Sequence, residues 1–289
     1  MNYASVTIVT KADNRTLFLD RAIRSVLAQT YYDWQHVIIA NGSNYNAILR
    51  IINSYKEAYQ GRLVVINNPS LIGRDTASNI GIRETSSEYL VIHDDFNSWE
   101  PTFLERCLAF MDDSTKPRLK SDYGGVITYT MHFIEKIEEN TIYRISSKPL
   151  NSWMTSVSLY ELAASNTFPQ ISFLFKRDAI ERVGYFREDL PFAGAWDFNW
   201  RVCLNYEIGL IPEFLANYHN EADSKDEIYR HINMDTKQHE NSLYKILLST
   251  DSEQAEEKLK SIPRMEKSLQ CVHMQIAGIK NLLKNLRDR

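Results

Sequence analysis

Apolar positions along this chain fall into short β-branched runs separated by stretches of helical spacing. Residues 5–10 (SVTIVT) predict a strand, which polar residues 11–15 interrupt. Leu19, Ile23, Val26 and Leu27 then mark one face of a helix. A second buried strand is predicted at residues 34–40 (WQHVIIA), stopped by Asn41-Gly42-Ser43. A helix through Ile48, Ile51, Ile52 and Tyr55 precedes a strand at 63–66, and a helix over 73–83 precedes a fourth strand at 89–92. Strand and helix in alternation predict an α/β fold, a mostly parallel sheet with helices on both faces. Ligands of such sheets bind beyond the carboxyl ends of the strands, where the polar loops 11–15, 40–44 and 93–97 are expected.

The alternation loosens after Pro101. Residues 123–135 and 141–145 predict a hairpin, 171–176 a strand and 196–206 a helix, and 208–212 leads into 213–219, the last strand of the globular part. The expected division is a domain over 1–220 and a charged linker with a helical tail over 221–289. Within the tail, Met265, Leu269, Val272, Ile276, Ile279, Leu283 and Leu286 repeat with alternating spacings of four and three, a heptad seam. Three readings stay open for it: a coiled coil, a basic amphipathic helix on anionic lipid, or a helix packed on its own domain.

Composition narrows the class without naming a function. The 289 residues are 44% hydrophobic, enough for a core, and the net charge of -4 gives no global basic field for nucleic acid. The charge is uneven, because residues 264–289 hold six Lys/Arg against two Asp/Glu. Cys107, Cys203 and Cys271 fit neither a disulfide framework nor a zinc spacing, so a reducing, cytoplasmic setting is expected. Residues 1–14 lack the apolar stretch of an export signal, and no run approaches the roughly 18–20 residues of a membrane span.

His93-Asp94-Asp95 follows the apolar strand YLVI directly. Paired carboxylates at a strand end suit a divalent cation that binds a diphosphate, and equally suit a solvated turn. Asp197 opens a helix, where a carboxylate complements the dipole whatever else it does, and is spaced to pair with Arg201. His219 reads as a ligand or as a bonded core histidine. No GxGxxG or GxxxxGK[ST] occurs.

The order of these segments resembles the family 2 glycosyltransferases, which have the GT-A (Rossmann-like) fold and use nucleotide-sugar donors. The likeness runs through VTIVTKADNR, LDRAIRSVLAQTYYDW, HVIIANGS, GRDTASNIGI, EYLVIHDDFNSWEP and ISFLFKRDAIERVGYFREDLPFAGAWDFNWR to LIPEFLANYHN, roughly residues 3–220. It is nearest to bacterial members whose metal motif begins His-Asp-Asp. The resemblance implies that Mg2+ or Mn2+ on Asp94, Asp95 and His219 holds the donor diphosphate. It implies that Thr10, Lys11, Asn14 and Arg15 line the nucleotide pocket with Asn41, His93 and Asp94, and that Arg74, Asp75 and Asn79 face the phosphates or the donor sugar. A carboxylate would deprotonate the acceptor hydroxyl, and single displacement would invert the anomeric centre.

Three positions depart from the family pattern. The base-reading Asp is replaced within Ala40-Asn41, the acidic residue two after Asp94 is Phe96, and the catalytic carboxylate two before Asp197 is Ala195. Asp197 is the first substitute for that base, with Asp189 and Glu188 after it. The expected activity is an inverting transferase that builds a bacterial surface glycan on a glycan or lipid-linked acceptor. The alternative is a degenerate domain that binds a nucleotide sugar and acts as an assembly scaffold, and a transferase of phosphoalditols is a lesser one. The tail would make a homo-oligomer, recruit a partner enzyme, or touch the inner face of the membrane.

Overall fold

The computed structural model describes residues 4–13, 16–42, 44–112, 123–139, 141–190 and 193–222. Asn14, Arg15 and the whole heptad segment 265–286 lie outside the described residues. One nine-stranded sheet organises the rest. Its first half is parallel: β3 (Leu63–Asn68), β2 (Trp34–Asn41), β1 (Val6–Ala12) and β4 (Tyr89–Asp94), side by side in that order.

Antiparallel pairing then enters through β8 (Phe173–Lys176) against β4, and β6 (Tyr123–Glu138) against β8. β6 runs parallel to β9 (Glu207–Glu221), whose far side holds the two-residue β5 (Ser98–Trp99). The expected hairpin is present, with β6 paired to β7 (Thr141–Pro149). β9 is one continuous strand past Pro212, and its register with β6 slips there, from Thr128↔Ile211 to Tyr129↔Phe214. A proline offers no N–H to a ladder, so the irregularity falls where the sequence requires it.

The two-residue period of the strands sorts their side chains onto two faces. Val6, Ile8, Trp34, Ile38, Tyr89, Val91 and Leu174 share one apolar cluster. It is completed by Leu19, Ile23 and Val26 of α1 (Thr16–Leu27), Ile48 and Ile52 of α2 (Tyr45–Ser54), and Phe103 and Leu104 of α5 (Phe103–Met111). On the opposite face α4 (Arg74–Arg83) lies on β1 and β2 through Gly81. A Cβ there would sit 2.6 Å from Val9 and 2.8 Å from Ile39, so only glycine permits this approach. On that same face, Phe198 of α8 (Gly194–Asn205) packs 5.0 Å from the Phe175 ring and 4.4 Å from the Phe186 ring. The short helices α3 (Lys56–Tyr59), α6 (Leu159–Ala164) and α7 (Arg177–Val183) complete the described elements, with a 3-10 turn at Gln170–Ser172 before β8. Cys107 and Cys203 are buried and form no disulfide among the described residues, and no described helix is long and apolar enough to cross a membrane.

Candidate active site

The face on which each side chain lies divides the expected site residues. Lys11 was expected in a loop, but β1 carries it as a strand residue directly opposite Asp94. Asn41 ends the neighbouring strand, and Lys11, Asn41 and Asp94 all project on the α4 side. Lys11 Nζ lies 2.7 Å from Asp94 Oδ1, and the Arg74 guanidinium, from the first residue of α4, binds the same oxygen. Burial pushes the Asp94 carboxyl up, but Arg74 and Lys11 outweigh it and hold the group well below the usual carboxylate range. Asp94 is therefore an anion with two resident cations. Arg74 also lies 5.1 Å over the Phe96 ring and 3.8 Å from Asp13 Oδ2.

Asp13 is a member of this cluster that the sequence reading left unassigned, although it lies within the VTKADNR segment. Its backbone N–H donates to Asp95 Oδ2 at 3.1 Å, and its Oδ1 accepts from Asn41 Nδ2 at 3.1 Å. Burial and the Asp13 carboxylate push the Asp95 carboxyl upward, with Arg74 opposing. Asn41 is buried and fully engaged: Nδ2 also donates to Ile72 O, and Oδ1 accepts from Ile72 N and Asn68 Nδ2. It fixes the loop before α4 and offers no free edge to a base.

Several expected site residues lie elsewhere. Thr10 and His93 alternate onto the opposite face, both fully buried. Thr10 Oγ1 pairs with His36 Nε2 at 2.8 Å, whose Nδ1 reaches Tyr59 OH at 2.8 Å. His93 bonds Ser25 Oγ and its ring meets Trp99 edge-on at 4.4 Å, and burial lowers its pKa to about 4. Neither side chain lines an open pocket. Asn79 is buried and joins α4 to residues 186–188, through Phe186 O, Phe186 N and Glu188 Oε1.

His219 belongs to a separate network. Nδ1 lies 2.8 Å from Glu135 Oε1, Nε2 lies 2.9 Å from Ser98 Oγ, and the ring stacks on Phe133 at 4.9 Å. Arg21 binds both Glu135 oxygens, at 2.8 and 2.9 Å. Burial keeps His219 below its ordinary pKa, so it is a neutral ring donating to Glu135 and accepting from Ser98. Both ring nitrogens are engaged within this network. Among the described residues no group of three His, Cys, Asp or Glu side chains is arranged to hold an ion.

The three substitute bases have other work. Asp197 is buried, and its Oδ2 is bound by Arg201 at 2.6–2.7 Å; Arg201 also holds the carbonyls of Gly184 and Tyr185. Asp189 pairs with Arg187 and is largely exposed. Glu188 accepts from Thr76 and Asn79.

This half-parallel sheet with its helices is the fold of solved GT-A glycosyltransferases. TarS 1–349 of S. aureus, solved in complex with UDP-GlcNAc, superposes with a TM-score of 0.60 at 14% identity, over 86% of this chain and 67% of that one. Of a longer TarS chain, this chain covers 40%. Mannosyltransferase PcManGT from Pyrobaculum calidifontis, solved with GDP-Man and Mn2+, gives 0.55 at 15% identity, over 96% and 81%. The sequence profile of glycosyl transferase family 2 matches residues 7–183, and the chain belongs to that family. An uncharacterized glycosyltransferase of Haemophilus influenzae is 22% identical over 246 residues, 81% of this chain and 71% of the relative.

Proposed function

We propose that this protein moves a glycosyl group from a nucleoside diphosphate sugar to a hydroxyl acceptor by single displacement with inversion. The observation that carries the reading is the pair of cations, Lys11 and Arg74, fixed on Asp94 where β1 and β4 end. A departing nucleoside diphosphate gathers negative charge, and cations held in place before the reaction stabilise it without reorganising. Arg74 adds planar, bidentate donors suited to phosphate oxygens. The start of α4 adds its own N–H groups and positive dipole end on that side. Nucleotide sugars in the solved TarS and PcManGT complexes support the donor class.

The divalent ion implied by the family does not fit the residues as they stand. Asp94 is neutralised by two cations, Phe96 supplies no ligand, and both nitrogens of His219 are bonded. The chemistry assigned here to Lys11 and Arg74 needs no step through a metal. A surface glycan or lipid-linked glycan is the proposed acceptor, with the heptad pattern at 265–286 as a means of self-association, partner docking or membrane contact. Ala195 and Phe96 favour one second reading, a nucleotide-sugar-binding scaffold without turnover.

Release of nucleoside diphosphate from a panel of nucleotide sugars, with acceptor glycans and in EDTA or Mn2+, separates these readings. Turnover in EDTA supports transfer by the resident cations. Calorimetric binding with no turnover under any condition supports the scaffold.

A further inference from the structure

Helix α8 begins without a carboxylate at Ala195, yet a carboxylate rests against its first residue. It comes from the second residue of α4, Asp75. A Cβ built on Gly194 would overlap Asp75 Oδ2 and lie 2.6 Å from its Cγ, so the absence of a side chain at Gly194 is what admits the group. The starts of α4 and α8 thus meet on the α4 face of the sheet, on the side of Lys11 and Arg74. Asp75 makes no hydrogen bond or ion pair with the described residues, and it is only partly buried. Of the other acidic side chains considered as the base, Asp189 and Glu188 are bound by neighbours. Asp197 is buried away from solvent, with Oδ2 on Arg201 and Oδ1 without a partner among the described residues.

We infer that Asp75 is the catalytic base of this protein, reaching from α4 into the place that Ala195 leaves without a carboxylate. The inference rests on the glycosyl-transfer reading above. In the step, the acceptor hydroxyl gives its proton to an Asp75 oxygen while the acceptor oxygen forms a bond to the anomeric carbon. The bond from that carbon to the β-phosphate oxygen breaks, and the nucleoside diphosphate leaves with the electron pair.

The surroundings suit the task. Burial pushes the Asp75 carboxyl up to about 6, with Lys11 and Arg74 pulling it down and Asp94 and Asp197 pushing it up. A base of that strength is ionised at neutral pH and still accepts a proton as the hydroxyl reacts. The opposing charges come from β1, α4, β4 and α8, the elements around it.

Asp75→Asn is predicted to lower kcat by about 10²–10⁴-fold, with the donor KM changed by only a few-fold. The acid limb of the wild-type kcat profile, centred at about 6, should disappear in the variant. Gly194→Ala, which displaces the carboxylate but keeps it in the protein, should lower kcat in the same direction, and it gives the readout if Asp75→Asn does not fold. Glu213→Gln, at a partly exposed residue paired with Arg106, serves as the control with unchanged turnover. An active wild type whose Asp75→Asn form keeps its kcat and its acid limb, losing only thermal stability, overturns the assignment alone. A wild type that consumes no donor overturns the transfer reading, and the assignment with it.

Discussion

Lys11 and Asp94 face each other across the β1–β4 pair, with Nζ 2.7 Å from Oδ1, and neither is more than slightly exposed. A buried ammonium needs a partner of opposite charge, and register supplies one. The pair also explains how a lysine is held near the end of a fully buried strand. Lys11→Met should weaken nucleoside diphosphate binding by about ten- to a hundredfold, the usual worth of a charged hydrogen bond. Calorimetry with the diphosphate and the matching monophosphate is the measurement, and the loss should be greater for the diphosphate.

His219 tests the division between the two charged networks. Its ring joins Glu135 and Ser98, and Arg21 completes that group. His219→Ala should cost about 1–3 kcal/mol of stability by leaving Glu135 short of a donor. Nucleotide affinity, measured with and without Mn2+, should stay unchanged. An intact melting temperature with Mn2+-dependent binding lost would make His219 a ligand instead.

Acid should unfold this protein partly through His36. The ring is enclosed by Thr10 and Tyr59, and burial, with His93 adding to it, lowers its pKa well below 6.5. As pH falls below that value, the unfolded chain takes up a proton that the folded ring refuses, so stability declines. As pH drops below about 6.5, melting temperature should therefore fall more steeply for the wild type than for His36→Gln. Equal slopes would contradict a buried neutral His36.

Gly81 holds α4 against the sheet, and α4 presents Arg74 and Asp75. Gly81→Ala forces a methyl into Val9 and Ile39, and overpacking of this kind costs about 1–3 kcal/mol. Chemical denaturation should show that loss, accompanied by weaker nucleotide binding because both functional residues move with the helix.

The parallel half of the sheet was legible because its strands hold short apolar runs and α1 and α2 carry a clear apolar stripe. The role of β5 was not, since two residues carry no periodicity, and the unity of β9 was hidden by Pro212. Among site residues, Asp94 stood out as a carboxylate at a strand end, Lys11 and Arg74 followed from the family resemblance, and the three do meet. Thr10 and His93 sit next to them in sequence, but the alternation of the strands turns them to the other face. Asp13 and Asp75 were harder to place, because their roles depend on contacts across the fold, with Asp95, Arg74 and Gly194. No spacing rule within one segment reaches such contacts.

The most direct test of the account is release of nucleoside diphosphate from nucleotide sugars in EDTA, comparing wild type with the Lys11→Met/Arg74→Gln double variant. Steady turnover by the wild type on at least one donor is expected, with a loss of at least about 10²-fold in the double variant. Wild-type turnover that vanishes in EDTA and returns with Mn2+, or a double variant as active as the wild type, would contradict it.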